Sequence, residues 1–225
     1  MKTELFKTAD GSHTLFVPSL SEHYHSTFGA INESLHVFVE SGFLRACDSF
    51  DEIELLEIGF GTGLNALLTW MEAERIPKKV RYTAIEPYPL DMETWSVLNY
   101  PDCFCTFSYR NIFHRLHEMD WGRNEQISPS FSIQKIQTRL QDYLPEAGKF
   151  NLVYFDAFGP DVQPELWTEE IFRKIFVSMK KGGVLMTYSV KGSVRRAMKS
   201  AGFSVEKLPG PAGKREITRA IRNGN

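Results

Sequence analysis

The sequence lacks the features that mark membrane, secreted and metal-binding proteins. None of its apolar runs approaches the roughly 20 residues that a helix needs to cross a bilayer. Its first ten residues are polar and carry acids, unlike a signal peptide. There are only three cysteines and no C-x-x-C pair, which argues against a disulfide framework or a zinc site: Cys47, Cys103 and Cys105. We therefore expect a reduced, cytoplasmic protein with no membrane contact and no metal ion.

The dinucleotide-binding fingerprint G-x-G-x-x-G is also missing. Gly59, Gly61 and Gly63 stand at alternate positions, and Leu64 replaces the last glycine of that fingerprint, which disfavours a dehydrogenase. An apolar run with two acids, Glu54-Leu-Leu-Glu-Ile58, precedes the glycines, and a helical pattern follows them. This order predicts a strand, a tight turn and a helix. Glycine lets a ligand lie close to such a turn, and the helix presents unpaired N–H groups to it.

The charge is unevenly distributed along a chain that is otherwise typical of a globular protein. Its 225 residues, 42% of them hydrophobic, can bury one sizeable core. Residues 191–225 contain nine Lys and Arg against two acids, whereas the other 190 residues contain 17 against 26. A basic end can bind polyanions, although a solvated basic helix and strand would give the same composition.

The pattern after the glycine turn predicts an open α/β sheet. A helix is expected over residues 167–179 and is expected to end at Gly182-Gly183, while residues 124–130 read as a loop. Residues 2–17 predict a hairpin around an Asp-Gly turn. We divide the chain into an N-terminal extension, residues 1–50, packed on a domain of residues 51–225. The remaining strands are expected at residues 80–86, 131–136, 150–155, 184–188, 203–208 and 216–221.

Three acids are candidate ligand contacts. Glu86 ends the second strand, where nucleotide-binding sheets place an acid on the ribose hydroxyls, although an exposed strand-end Glu would look the same. Asp142 is a candidate acceptor for an adenine amino group, with a helix cap as an equal alternative. Asp156 ends an apolar strand between two phenylalanines, where a partly desolvated carboxylate attracts an amine-bearing substrate; a capping role is the alternative.

The chain resembles a known enzyme family over nearly its whole length. It is similar to the methyltransferase domain of the bifunctional tRNA 5-methylaminomethyl-2-thiouridine biosynthesis protein and to the stand-alone relatives of that domain. The resemblance implies a Rossmann-like class I fold with a mostly parallel seven-stranded sheet and helices on both faces. The matching stretches are Glu33-Ser-Leu-His-Val-Phe38, Gly59-Phe-Gly-Thr-Gly-Leu-Asn65, Phe155-Asp-Ala-Phe-Gly-Pro160, Pro164-Glu-Leu-Trp167, Gly192-Ser-Val-Arg-Arg196 and Pro209-Gly-Pro-Ala-Gly-Lys-Arg-Glu216.

The resemblance implies that S-adenosyl-L-methionine (SAM) donates a methyl group to the amine of 5-aminomethyl(-2-thio)uridine at the tRNA wobble position. Asp156 is the expected catalytic residue. Nine residues are expected to bind the cofactor: Glu57, Gly59, Phe60, Gly61, Thr62, Gly63, Asn65, Glu86 and Asp142. The residues expected to bind tRNA are aromatic or basic, although such aromatics also occur in cores: Tyr24, Phe158, Trp167, Lys191, Arg195, Arg196, Lys214 and Arg215.

Two departures from the family and two alternative functions accompany this resemblance. The bifunctional proteins carry an FAD-dependent oxidoreductase domain, for which 225 residues leave no room, so another enzyme is expected to make the aminomethyl substrate. Glu22 replaces the aspartate that the family usually has two residues before Tyr24. One alternative is an aminopropyltransferase of the spermidine-synthase kind, which the basic end disfavours. The other is a non-catalytic SAM- or tRNA-binding module, and the oligomeric state is left open.

Overall fold

A small sheet at the N terminus precedes the main fold. The computed structural model describes residues 2–104 and 107–224. Strands β1 (Glu4–Lys7) and β2 (His13–Val17) form the expected antiparallel hairpin, and β3 (Glu22–His23) pairs with β2. Asn99 fixes the hairpin to the rest of the protein, since its Nδ2 donates to the Gly11 carbonyl at 3.0 Å and its Oδ1 accepts from the backbone N–H of His13 at 2.7 Å.

Within the described residues the main sheet contains eight strands, one more than the sequence predicts. The additional strand is formed by residues 124–128, which we expected to be a loop and which pair antiparallel with the next strand at the sheet edge. The strands of this sheet are β4 (Glu52–Ile58), β5 (Lys79–Ile85), β6 (Asn124–Ser128), β7 (Phe131–Ile136), β8 (Phe150–Phe155), β9 (Met179–Thr187), β10 (Ser204–Pro209) and β11 (Glu216–Ile221). Their order across the sheet is β10-β11-β9-β8-β4-β5-β7-β6.

The central strands are parallel, and the order of the chain reverses beside β4. This strand pairs with β5 on one side and with β8 on the other, so ligand-binding residues at their carboxyl ends converge at a topological switch point. Both faces of β4 are buried: Leu55 faces one apolar cluster and Leu56 faces the other. Burial on both faces is typical of a parallel strand covered by helices, and it confirms the predicted α/β class.

Helices cover both faces of the sheet. The helix after β8 is capped by Thr168, whose hydroxyl accepts from the N–H of Ile171 at 3.3 Å. It ends at Ser178, and β9 then runs through Gly182-Gly183, so the expected helix stop at these glycines is wrong. The helices are α1 (Ala30–Ser34), a π-helical segment (Leu35–Leu44), α2 (Arg45–Cys47), α3 (Leu64–Ala73), α4 (Met92–Trp95), α5 (Phe107–Glu118), α6 (Glu169–Ser178) and α7 (Gly192–Ser200), with 3₁₀ turns at Tyr100–Phe104 and Pro164–Leu166.

The described residues can be searched for two features that the sequence led us not to expect, a membrane-spanning helix and a metal site. Among residues 2–104 and 107–224, no helix has both the length and the apolar character needed to cross a bilayer. No group of three His, Cys, Asp or Glu side chains within the same ranges has the geometry to hold a metal ion. Cys105 lies outside the described residues.

Candidate active site

A cleft of about 550 Å³ opens at the carboxyl ends of β4, β5 and β8. This volume lies in the range that is usual for small-molecule and cofactor sites. The cleft is lined by the glycine turn after β4, by the segment after β5 and by the segment after β8. Residues before α1 and in the β10–β11 connection complete its wall.

The glycine turn needs glycine at two positions that face the cleft. At Gly59 φ is +90°, and a Cβ would lie 2.8 Å from the backbone oxygen of Asp156, so β4 and β8 approach closely there. At Gly61 φ is +49°, and a Cβ would lie 3.2 Å from the ring of Tyr24. Gly63 faces the other way: a Cβ would lie 2.8 Å from Nε2 of His117, outside the cleft.

Asn65 connects the turn to two acids. Its Nδ2 donates to Oε1 of Glu57 at 3.0 Å and to Oδ2 of Asp156 at 2.8 Å. Glu57 is completely buried beneath the cleft, and burial raises its pKa well above the ordinary value. Glu57 thus supports Asn65 from below. The Oδ1 atom of Asn65 is buried and has no hydrogen-bond partner among the described residues.

Glu86 is fixed at the cleft wall by the backbone. Its Oε2 accepts from the N–H of Gly61 at 3.0 Å, and its Oε1 accepts from the N–H of Tyr88 at 2.9 Å. Burial raises the pKa of Glu86. A carboxylate held beside the glycine turn matches the position that nucleotide-binding sheets use for ribose hydroxyls.

Asp156 follows β8 and is half-buried at the cleft floor. Burial, followed by the negative charge of Glu33, raises its pKa to about 7, while the Asn65 hydrogen bond and the positive charge of Lys214 act in the opposite direction. The carboxyl group can therefore exchange a proton near neutral pH, which is the range in which a general base is effective.

Two aromatic rings border the cleft near Asp156. Tyr24 and Phe158 meet edge to face, with ring centroids 5.0 Å apart, and both line the cleft. Trp167 is buried behind them; its Nε1 donates to the Phe158 carbonyl at 2.9 Å. The structure therefore places Trp167 as a support for the loop that carries Phe158, where its ring packs on Phe155 and does not line the cleft.

Several other residues that the sequence singled out lie outside the cleft. Asp142 is exposed and pairs with Arg139, Nε to Oδ2, at 2.6 Å, whereas the preceding Leu140 and Gln141 line the cleft. Lys191 pairs with the exposed Asp161. Lys214 differs from the other basic candidates because it lines the cleft and pairs with Glu33. The basic candidates outside the cleft are Lys191, Arg195, Arg196 and Arg215.

The sequence did not single out two residues that the structure brings to Asp156. Glu33 begins the first family-like stretch, for which the sequence suggested no role, and it is only 6% exposed. Tyr188 follows β9, and its hydroxyl donates to the carbonyl of Ala157 at 2.8 Å. The signal that could have indicated this location is that Tyr188 ends a predicted strand, as Glu86 does and as Asp156 nearly does.

The fold and the cleft together define the class of the protein. A glycine turn, a backbone-held acid at the next strand end and a carboxylate across the switch point suit a nucleoside-bearing ligand with a reactive group beside Asp156. A family model described as S-adenosyl-L-methionine-dependent methyltransferase matches residues 110–223, about half of the chain. The chain belongs to this family of SAM-dependent methyltransferases.

Known proteins resemble this chain over most of its length. It is 28% identical to the tRNA 5-methylaminomethyl-2-thiouridine biosynthesis bifunctional protein MnmC of Cupriavidus metallidurans, a match that covers 92% of this chain and 32% of that protein. Identity with the protein of the same name from Aromatoleum aromaticum is 31%, over 87% of this chain and 32% of that protein. The chain thus spans about a third of the length of these relatives. The crystal structure of MnmC2 from Aquifex aeolicus matches with a TM-score of 0.83 and 29% identity, covering 100% of this chain and 72% of that one.

The cleft residues fit SAM. The turn has no side chain at Gly59 or Gly61 to fill the space, Glu86 places a carboxylate beside the turn, and the unpartnered Oδ1 of buried Asn65 leaves an acceptor there. The cofactor-binding roles of these residues stay predictions. Of the nine residues predicted to bind the cofactor, six line the cleft: Gly59, Phe60, Gly61, Thr62, Asn65 and Glu86.

Proposed function

We propose that this chain methylates the amine of 5-aminomethyl(-2-thio)uridine at the wobble position of tRNA. The observation that carries the proposal is the position of Asp156, between the glycine turn and the Tyr24–Phe158 ring pair in one cleft. The family of the chain supports methyl transfer as the chemistry, and the names of the chain's relatives support tRNA as the substrate. Tyr24 and Glu33 both precede residue 51, so we further propose that an extension of residues 1–50 completes the site of a methyltransferase domain, residues 51–225.

The reaction needs a neutral amine. SAM supplies a methyl group on a sulfonium sulfur; the amine lone pair forms the new N–C bond while the C–S bond breaks with its electron pair on sulfur, leaving S-adenosylhomocysteine. The nitrogen then carries an extra proton that must leave. Asp156 accepts a hydrogen bond from the amine, orients its lone pair and takes this proton, because its pKa of about 7 lets it do so at neutral pH.

The remaining cleft residues position the two reactants. Glu86, held by the N–H groups of Gly61 and Tyr88, binds the ribose of the cofactor. The rings of Tyr24 and Phe158 offer apolar surface to the uracil, as aromatic side chains do for unstacked RNA bases. Trp167 acts through its hydrogen bond to the Phe158 carbonyl.

The tRNA contacts are proposed for the basic residues at the C-terminal end. Lysine and arginine bind phosphates with little sequence preference, and such binding weakens steeply with salt. In the cell this activity depends on a cytoplasmic enzyme that makes the aminomethyl group. The residues proposed to contact phosphates are Lys191, Arg195, Arg196 and Arg215.

The proposal is tested by nucleoside analysis. The protein is incubated with labelled SAM and with tRNA from cells that lack it, and the tRNA is digested and analysed by mass. We expect one methyl group on the aminomethyl nucleoside, and we expect Asp156→Asn to lose this activity while Asp161→Asn keeps it. Spermidine from putrescine and decarboxylated SAM would instead show an aminopropyltransferase. SAM binding without transfer to this tRNA would show a non-catalytic module.

A further inference from the structure

An ion pair in the wall of the cleft joins two segments that are far apart in sequence. Glu33 of α1 and Lys214 of the β10–β11 connection pair with side-chain exposures of 8% and 27%, and the other oxygen of Glu33 accepts from the N–H of Ser26 at 2.7 Å. Desolvation of two charges offsets much of the attraction in such a pair, so stability alone is a weak explanation for it.

The pair holds the lysine ammonium at a defined place near Asp156. Nζ of Lys214 lies 4.1 Å from the centroid of the Tyr188 ring, a favourable position for a cation. The Tyr188 hydroxyl donates to the carbonyl of Ala157, the residue after Asp156, at 2.8 Å. The charges of both Glu33 and Lys214 act on Asp156. Lys214 therefore lies inside the cleft, whereas the other basic residues predicted to bind tRNA lie outside it.

We propose that Glu33 and Lys214 are positioning residues for the methyl acceptor: Glu33 anchors Lys214 over Tyr188, and the pair sets the charge around Asp156 at the acceptor end of the cleft. The inference rests on the proposed function. It assigns to Lys214 a role inside the site in place of the phosphate contact expected from the sequence.

The two members of the pair act on Asp156 with opposite sign. Glu33 raises the pKa of Asp156, and Lys214 lowers it. Burial lowers the pKa of the neighbouring His25 to about 4, so this imidazole is neutral in the working range. The other titratable groups that interact with Asp156 or with this pair remain in place in both variants: Glu57 on β4, Tyr82 on β5 and Tyr188 after β9. Glu22 on β3 acts on Tyr188 and is also unchanged.

The test compares pH profiles of kcat/KM for tRNA at constant ionic strength. Lys214→Met should move the acid limb to higher pH, and Glu33→Gln should move it to lower pH, each by roughly one pH unit. Lys214→Arg keeps the charge and should restore the wild-type limb. The free substrate amine titrates identically in every assay, so differences between variants report the enzyme. SAM affinity should change less than twofold in all three.

Matched controls come from the two strands that flank this connection, β10 and β11. Lys207 and Glu216 pair at 2.7 Å on the surface, outside the cleft, so Lys207→Met and Glu216→Gln should leave the profile unchanged. Equal losses with an unmoved acid limb, or shifts of the same sign in both cleft variants, would overturn the inference in favour of a purely structural pair. If Lys214→Met does not fold, Glu33→Gln still tests the sign, because an acid limb that does not move to lower pH in this variant would overturn the inference, and Lys214→Arg tests whether the charge alone suffices. Failure of the wild-type protein to methylate the tRNA would overturn the proposed function itself.

Discussion

Replacement of Asp156 by asparagine should abolish methyl transfer and at the same time stabilise the protein at alkaline pH. The side chains have nearly the same shape, and the asparagine oxygen can still accept the hydrogen bond from Asn65, which measures 2.8 Å in the wild type. The difference between them is the charge. Because the folded protein disfavours the carboxylate, the wild type is destabilised wherever that group must ionise.

The sign and size of the effect follow from the pKa of Asp156, which is about 7 in the folded protein against an ordinary value of 3.8 for an aspartate. Between these two values the folded state binds more protons than the unfolded state, so the contribution of Asp156 to stability is greatest in acid and falls as pH rises through 7. The upper limit is about 4 kcal/mol at pH 8. Asp156 is open to the cleft on one side, and we therefore expect about 1–2 kcal/mol more stabilisation of Asp156→Asn at pH 8 than at pH 5.

The assay is urea unfolding of the cofactor-free protein at both pH values, with the free energy of unfolding taken from midpoint and slope. Asp161→Asn is the control, because Asp161 is exposed and its ion pair with Lys191 contributes little at the surface. A stability difference between Asp156→Asn and the wild type that is the same at pH 5 and pH 8 would refute the argument that Asp156 is held in a desolvated position.

Two further substitutions test the cofactor and acceptor sides of the cleft. Glu86→Gln should raise the Kd for SAM about tenfold in calorimetry, since a charged acceptor for the ribose is lost, and an unchanged Kd would exclude the ribose contact. Trp167→Phe removes the 2.9 Å hydrogen bond to the Phe158 carbonyl and should lower unfolding free energy by about 1 kcal/mol. The same variant should raise KM for tRNA with SAM affinity unchanged, and an unaltered KM would separate Phe158 from acceptor binding.

Local pattern was sufficient for the elements whose signal is short-range. The strand at residues 131–136 and the last strand at residues 216–221 have the bounds that alternation predicts. The Thr168 cap depends on a hydroxyl and an N–H three residues away, so the sequence identifies it directly. The edge strand at residues 124–128 was missed because a polar segment becomes a strand only when it pairs with β7.

Some residues of the site could be predicted from local sequence, and others could not. The sequence by itself determined the glycine turn and the two strand-end acids, Glu86 and Asp156, because a parallel sheet brings the carboxyl ends of neighbouring strands to one edge. Only the tertiary structure decided that Glu33 and Lys214, 181 positions apart, form a partly buried pair near Asp156. Pairing between distant segments depends on how the chain packs, and no local pattern of residue types encodes it.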